Sequence, residues 1–228
     1  PGERDAERAD SYGTGELIAA AIDSGAKRVL IAAGGSASTD GGRAAIDAIE
    51  DRGGLRGATL EVLCDVDSCF EEAADNFAPQ KGADEASTAR LGARLSRFAA
   101  ELPRDPRGIP MGGCAGGLSG GLMAAYDAEL RPGAEFILDM VSFDARLAAG
   151  AAAITGEGRL DEQSGRGKIV GEIAKRCAAA DAELFIVVGH DASRGDTYPA
   201  QVAAAILEAS TLTEIEAAGA TIGARIRT

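Results

Sequence analysis

Short apolar, β-branched runs recur along this chain with helical patterns between most of them, and that alternation restricts the possible folds more than any other feature. Such runs at residues 28–33, 59–64, 135–141, 151–155, 183–188 and 201–207 predict strands. Amphipathic stretches at 15–24, 43–51, 70–77, 85–101, 118–127 and 169–180 predict helices. The longest of these places Leu91, Leu95, Phe98 and Leu102 on one face, a core stripe with no functional content. A last helix opens on Thr211-Leu212-Thr213-Glu214, a capping-box pattern, and is expected to run to about Ala224. The result is an α/β fold with a largely parallel sheet and helices on both faces.

At 228 residues the chain can build one large domain or two small ones, each with its own core. Cys64, Cys69, Cys114 and Cys177 form no C-x-x-C pair and His190 is the only histidine, which argues against zinc and for a reduced, cytoplasmic setting. No apolar run reaches the roughly 18 to 20 residues that span a bilayer. The formal charge of −13 with scattered basic residues argues against a nucleic-acid surface, so an anionic ligand needs a local positive pocket. Of the four lysines, Lys81 and Lys168 lie in glycine-flanked segments. Residues 103–117, rich in proline and glycine, read as a hinge or mobile loop. After a polar leader the chain enters a helix with no opening strand, as a piece of a longer protein would.

Four glycine-rich segments carry chemistry. In residues 34–42, GGSASTDGG, a strand runs into paired glycines and a helix follows a second pair. Gly34 and Gly35 let backbone N–H groups approach an anion, and Ser36, Ser38 and Thr39 can donate to a carboxylate or phosphate. Asp40 can accept from a hydroxyl or simply cap the helix, two readings of equal weight. In residues 64–67, CDVD, Asp65 and Asp67 can hold Mg²⁺ through water or form an aspartate-rich turn, and Lys81 follows in the next loop. Residues 112–121 hold six glycines in ten positions, including Gly116 and Gly117. That density suits a phosphate-cradling loop or a close helix crossing, and a loop is expected for its first half.

The fourth segment is TGEGRLDEQSGRGK, residues 155–168. Thr155, Glu157 and Asp161 supply oxygen, Arg159 and Lys168 positive charge, and Gly156 and Gly158 a free backbone. It is neither a Walker A loop nor a G-x-G-x-x-G fingerprint. With a strand expected before it and a helix after it, this inventory suits a deprotonated hydroxyl nucleophile, neutralised phosphate oxygens and a held divalent metal. Those are the needs of phosphoryl transfer from a nucleotide. The single histidine and the missing G-x-S-x-G elbow argue against a serine hydrolase.

Together with Tyr12-Gly13-Thr14-Gly15-Glu16-Leu17 and FAPQKGA at 77–83, these segments resemble the bacterial type I glycerate kinase family, in its order and at compatible spacing, from about Ser11 to Gly189. The resemblance implies two α/β domains, one inserted in the other, with the active site in the cleft between them. It divides the chain into a leader at 1–10, an inserted α/β domain at 11–150 and part of a second, Rossmann-like domain at 151–228. It implies ATP- and Mg²⁺-dependent phosphorylation of D-glycerate, giving 2-phosphoglycerate, by a monomer or homodimer with no membrane or nucleic-acid partner. In family-like roles Asp161 is the expected base, Glu157 lies near the metal with Asp65 as a second ligand, and Lys168 and Arg159 face phosphate. Gly34, Gly35, Ser36, Asp40, Lys81, Gly116, Gly117, Gly156 and Gly158 would face substrate or nucleotide.

Two further family motifs, D-S-F-K-G-S-like and A-D-G-G-E-G-T-like, do not occur in these residues, and Arg166 stands where relatives commonly have histidine. A truncated or diverged relative that binds a small hydroxy or sugar acid without catalysis is the alternative.

Overall fold

The apolar runs and stripes of the first half condense around a parallel sheet. The computed structural model describes residues 5–147, 152–165 and 168–226, and forms two units that divide between Gly133 and Ala134. The first contains α1 (Tyr12–Asp23), β1 (Arg28–Ala32), α2 (Arg43–Asp51), β2 (Thr59–Cys64), α3 (Ala73–Phe77), α4 (Glu85–Glu101), α5 (Leu118–Tyr126) and β3 (Glu129–Pro132). Single 3-10 turns occupy Phe70–Glu72 and Pro79–Lys81. The strands pair in the order β1-β2-β3, all parallel. Five of the six β2 residues are buried, as in a sheet covered by helices.

Ile18 and Ile22 of α1, Ile49 of α2, Val62 of β2 and Leu122 of α5 form the main core. A second cluster joins Phe70 to the α4 stripe of Leu91, Leu95 and Phe98. The expected leader is part of this cluster: Ala6 is buried in it, and Glu7 accepts from Arg90 at 2.8 and 2.9 Å and from Ser87 at 3.0 Å.

One carboxylate is embedded in the sheet. Glu61 of β2 is 7% exposed and lies between Arg28 of β1, whose Nη2 reaches it at 2.8 Å, and Arg131 of β3, at 3.1 Å. The Arg28 guanidinium, with Arg131 beside it, holds this carboxyl down to about 2.

The six glycines of 112–121 have a packing role. A Cβ on Gly121 would overlap the carbonyl oxygen of Gly41, one on Gly116 that of Ser38, and one on Gly113 that of Cys69. The phosphate-cradling loop expected for the first half is instead a backbone crossing. Nor is the end of 103–117 a free hinge: Met111 N–H donates to Asp67 O at 3.1 Å, Gly113 N–H to Ser68 O at 2.9 Å, and Cys114 is fully buried.

The second unit contains α6 (Gly133–Met140), α7 (Phe143–Leu147), β4 (Ala153–Leu160), α8 (Ile169–Ala179), β5 (Leu184–Asp191), α9 (Tyr198–Val202), β6 (Ala205–Glu208) and α10 (Leu212–Ile226). Its strands pair in the order β4-β5-β6, again all parallel. Leu160, Val170, Leu184 and Ile186 lead its core, which also takes in Leu138 and Leu147. Leu138 and Leu147 thus pack with this unit, and the expected boundary at 150/151 lies outside the described residues.

Several expected elements differ. Of the expected strand 135–141, residues 135–140 form helix: Leu138 is buried, Asp139 pairs with Arg176 at 2.7 Å and the Glu135 carbonyl accepts from the same guanidinium at 3.3 Å. The third strand of the first sheet, β3, is a four-residue element too short and too charged to be predicted. Residues 198–202 turn helical behind Pro199, leaving only 205–208 as strand. The capping box of α10 forms as expected, with Thr211 N–H donating to Glu214 at 3.0 Å and Glu214 N–H to Thr211 Oγ1 at 3.3 Å.

Gly121→Ala is expected to cost about 3 kcal/mol or to prevent folding. Gly219→Ala, in α10 with open space around it, should instead gain about 0.5–1 kcal/mol in urea unfolding. Because the Glu61 carboxyl is depressed in the folded state, its stabilisation is present above the ordinary carboxylate pKa of 4.5 and is lost as pH falls toward about 2. The melting temperature should drop through that window, and less steeply in Glu61→Gln.

Candidate functional site

In the first unit β1 delivers the chain into residues 34–40. Ala33 N–H still donates to Leu63 O at 3.1 Å, and sheet-like bonding ends there. Among the described residues, no oxygen accepts from the backbone N–H groups of residues 34–40. Seven consecutive donors are therefore without a protein acceptor among the described residues, four of them on residues that are exposed or half-buried. Gly35 has φ +72°, which turns the loop back on itself.

Asp40, which could have served a ligand or a cap, is the cap. Its carboxylate accepts from Ser11 N–H at 2.9 Å, Ser11 Oγ at 2.7 Å, Gly42 N–H at 3.2 Å and Ala44 N–H at 3.3 Å. It closes the start of α2 and ties it to the start of α1, since Ser11 Oγ also accepts from Ala45 N–H at 3.1 Å. Gly116 and Gly117 likewise support the loop, and Gly41 N–H donates to Gly116 O at 3.1 Å.

Lys81 enters from the 3-10 turn at Pro79–Lys81 and is only 7% exposed. Its ammonium donates to Ser36 Oγ at 3.0 Å and to the Ser38 carbonyl. Burial lowers the pKa of this lysine from its ordinary value, with the Asp40 charge acting in the opposite sense. Arg94 of α4 reaches the same loop from behind, donating to Thr39 O at 2.7 Å and to Glu7 O at 3.0 Å. Asp65 lies alongside Gly34 and accepts from the Cys114 thiol at 3.2 Å.

In the second unit the expected loop after Thr155 is strand. β4 runs on through Gly156 and Gly158 to Leu160, paired with β5 to Asp191. A Cβ on Gly156 would overlap the Val187 carbonyl oxygen, so glycine permits the approach of β5 and makes no loop there. Alternation puts Thr155, Glu157 and Arg159 on one face. Glu157 Oε1 is buried and has no hydrogen-bond partner among the described residues. Arg159 pairs with Asp161 at 3.6 Å, and Ser164 fixes the Asp161 backbone, its Oγ accepting from Asp161 N–H at 3.0 Å. Lys168 stands at the start of α8, whose first turn closes on its carbonyl at 3.1 Å. Arg166 and Gly167 lie outside the described residues. His190 is exposed, with Nδ1 3.1 Å from Glu208.

The first unit thus brings together Gly34, Gly35, Ser36 and Lys81, and the second aligns Glu157, Arg159 and Asp161. Sequence reasoning did not single out Ser11 or Arg94; the α4 stripe drew attention to its apolar face, and the arginine lies beside it.

Among the described residues no group of three or more His, Cys, Asp or Glu side chains is placed to hold a metal ion. Magnesium that keeps its waters and bridges phosphates needs only one or two carboxylates. Glu157, with an unpartnered oxygen, fits that need better than Asp65, which already accepts a thiol.

These features define an α/β protein with a glycine-serine loop of unpaired backbone N–H groups in one unit and a charged strand end in the other. The glycerate kinase family profile matches residues 1–52 and 43–227, and the chain belongs to that family. It is 39% identical over 196 residues to an uncharacterised protein of Mycobacterium bovis, covering 79% of this chain and 50% of that one. It is 34% identical to glycerate 2-kinase of Escherichia coli, covering 76% and 56% of the two chains, and 33% identical to glycerate kinase of Halalkalibacterium halodurans, covering 83% and 58%. A solved chain from Salmonella typhimurium LT2 named for glycerate kinase 2 superimposes with a TM-score of 0.63 at 27% identity, covering 99% of this chain and 72% of that one. The chain spans about half to three fifths of the length of these curated relatives.

Asp40→Ala is expected to cost about 2 kcal/mol or more, because four donors lose one acceptor. Urea unfolding checks this; unchanged stability with weakened ligand binding would make Asp40 a ligand contact instead.

Proposed function

We propose that this chain carries the phosphoryl-transfer chemistry of a kinase acting on a small hydroxy acid, with D-glycerate as acceptor, ATP as donor and 2-phosphoglycerate as product. The observation that carries the reading is the end of β4, where a buried carboxylate oxygen without a partner, Glu157 Oε1, precedes the Arg159–Asp161 pair. Relatives named glycerate kinase support the substrate class.

In this reading Asp161 accepts the proton of the attacking hydroxyl, and the Ser164 hydroxyl fixes the backbone that carries it. Arg159 and Lys168 face the transferring phosphate, where charge is redistributed during transfer. Glu157, with Asp65 as the weaker candidate, would hold Mg²⁺, which when bound neutralises phosphate oxygens. Gly158, with open space where a side chain would stand, leaves this strand end clear for ligand. A reduced, cytoplasmic setting belongs to the same reading and is supported by four free thiols; no described helix is long and apolar enough to cross a membrane. A monomer or homodimer would suffice.

The alternative is a module that binds the hydroxy acid without turnover. ADP release with D-glycerate, ATP and Mg²⁺ separates the two. Asp161→Ala is expected to lower the rate by about a hundredfold or more, the scale of a lost general base. A folded chain that binds D-glycerate and releases no ADP would establish the binding module.

A further inference from the structure

Resting on the proposed hydroxy-acid substrate, we infer that residues 34–40 together with Lys81 form the seat of its carboxylate, and that nucleotide phosphates bind elsewhere. Three observations carry this. Seven successive N–H groups have no protein acceptor among the described residues, and successive unpaired backbone amides are the donors that hold small anions in proteins. Asp40 already fills the start of α2, so the helix terminus is taken and the ligand belongs to the loop itself. Lys81 is a buried cation whose two protein contacts, Ser36 Oγ and Ser38 O, are both neutral, so its charge is not neutralised in direct contact.

The charge balance selects the ligand. Lys81 and Arg94 bring two positive charges to the loop, and Asp40 and Asp65 bring two negative ones. A monoanionic carboxylate adds a single charge that Lys81 and the N–H array can meet. A polyphosphate would bring several charges beside two fixed carboxylates, and buried like charges repel strongly. Ser36, half-buried and held by Lys81, offers a hydroxyl to the same ligand.

Isothermal titration of the chain with D-glycerate, glycerol and ADP tests the assignment. Glycerol keeps the carbon skeleton and replaces the carboxylate by a hydroxyl. The wild-type chain should bind D-glycerate and not glycerol. Lys81→Met should weaken D-glycerate by about tenfold or more, the scale of a lost charge-assisted hydrogen bond, with ADP affinity unchanged within about twofold. Ser36→Ala, at a less buried position, should weaken D-glycerate several-fold and serves if Lys81→Met does not fold. Absent D-glycerate binding, equal binding of glycerol, or variants that lose ADP and keep D-glycerate would overturn the assignment. The kinase reading fails separately: D-glycerate bound through Lys81 without any ADP release removes the kinase and keeps the carboxylate seat. Full turnover with an unchanged KM for D-glycerate in both variants removes the seat and keeps the kinase.

Discussion

The first unit depends on two backbone segments meeting with no side chain between them. Residues 116–121 cross residues 38–42 so closely that a methyl group on Gly121 or Gly116 would occupy the place of a carbonyl oxygen. This crossing sets where α2 and α5 begin and fixes the far end of the serine-rich loop. The near end is fixed by the last sheet bond at Ala33. A segment held at both ends can leave its own N–H groups unpaired without collapsing onto itself, which is what preorganisation for an anion requires.

Polar saturation and polar vacancy are sharply divided. Asp40 meets four donors and Glu61 two guanidinium groups, and both organise structure. Glu157 Oε1 and the N–H groups of 34–40 meet none among the described residues. Buried polar groups in folded proteins are nearly always paired, so unpaired ones concentrate where a ligand completes them. Glycine has separate tasks in the two units: in the first it lets loops cross, and in the second it lets β5 approach β4 through Gly156.

Much of this was legible in the chain. The bounds of α2, β2 and α4 follow from periodicity alone, and the capping box at Thr211 marks the start of α10. The α6 helix was read as strand because its apolar, β-branched composition outweighs a weak helical period, and Arg176 supplies the tertiary contact that decides. Glycine in TGEGRL looked like loop because its usual role is conformational freedom, whereas here it removes a steric barrier within a sheet. The residue types of the site were visible, but their division between cap and ligand was not: Asp40 is claimed by Ser11, twenty-nine positions away, and no local pattern records that.

Glu61 has a consequence for how the first sheet assembles. It touches Arg28, 33 positions earlier, and Arg131, 70 positions later, across both neighbours of the central strand. A slip of one residue in β2 would turn this carboxylate to the opposite face and leave both guanidinium groups without it. The residue therefore works as an alignment key read from two sides, and the second reading becomes possible only once Arg131 has left the ribosome. Until then β2 has one partner, and the sheet is completed by nearly the last residues of its own unit.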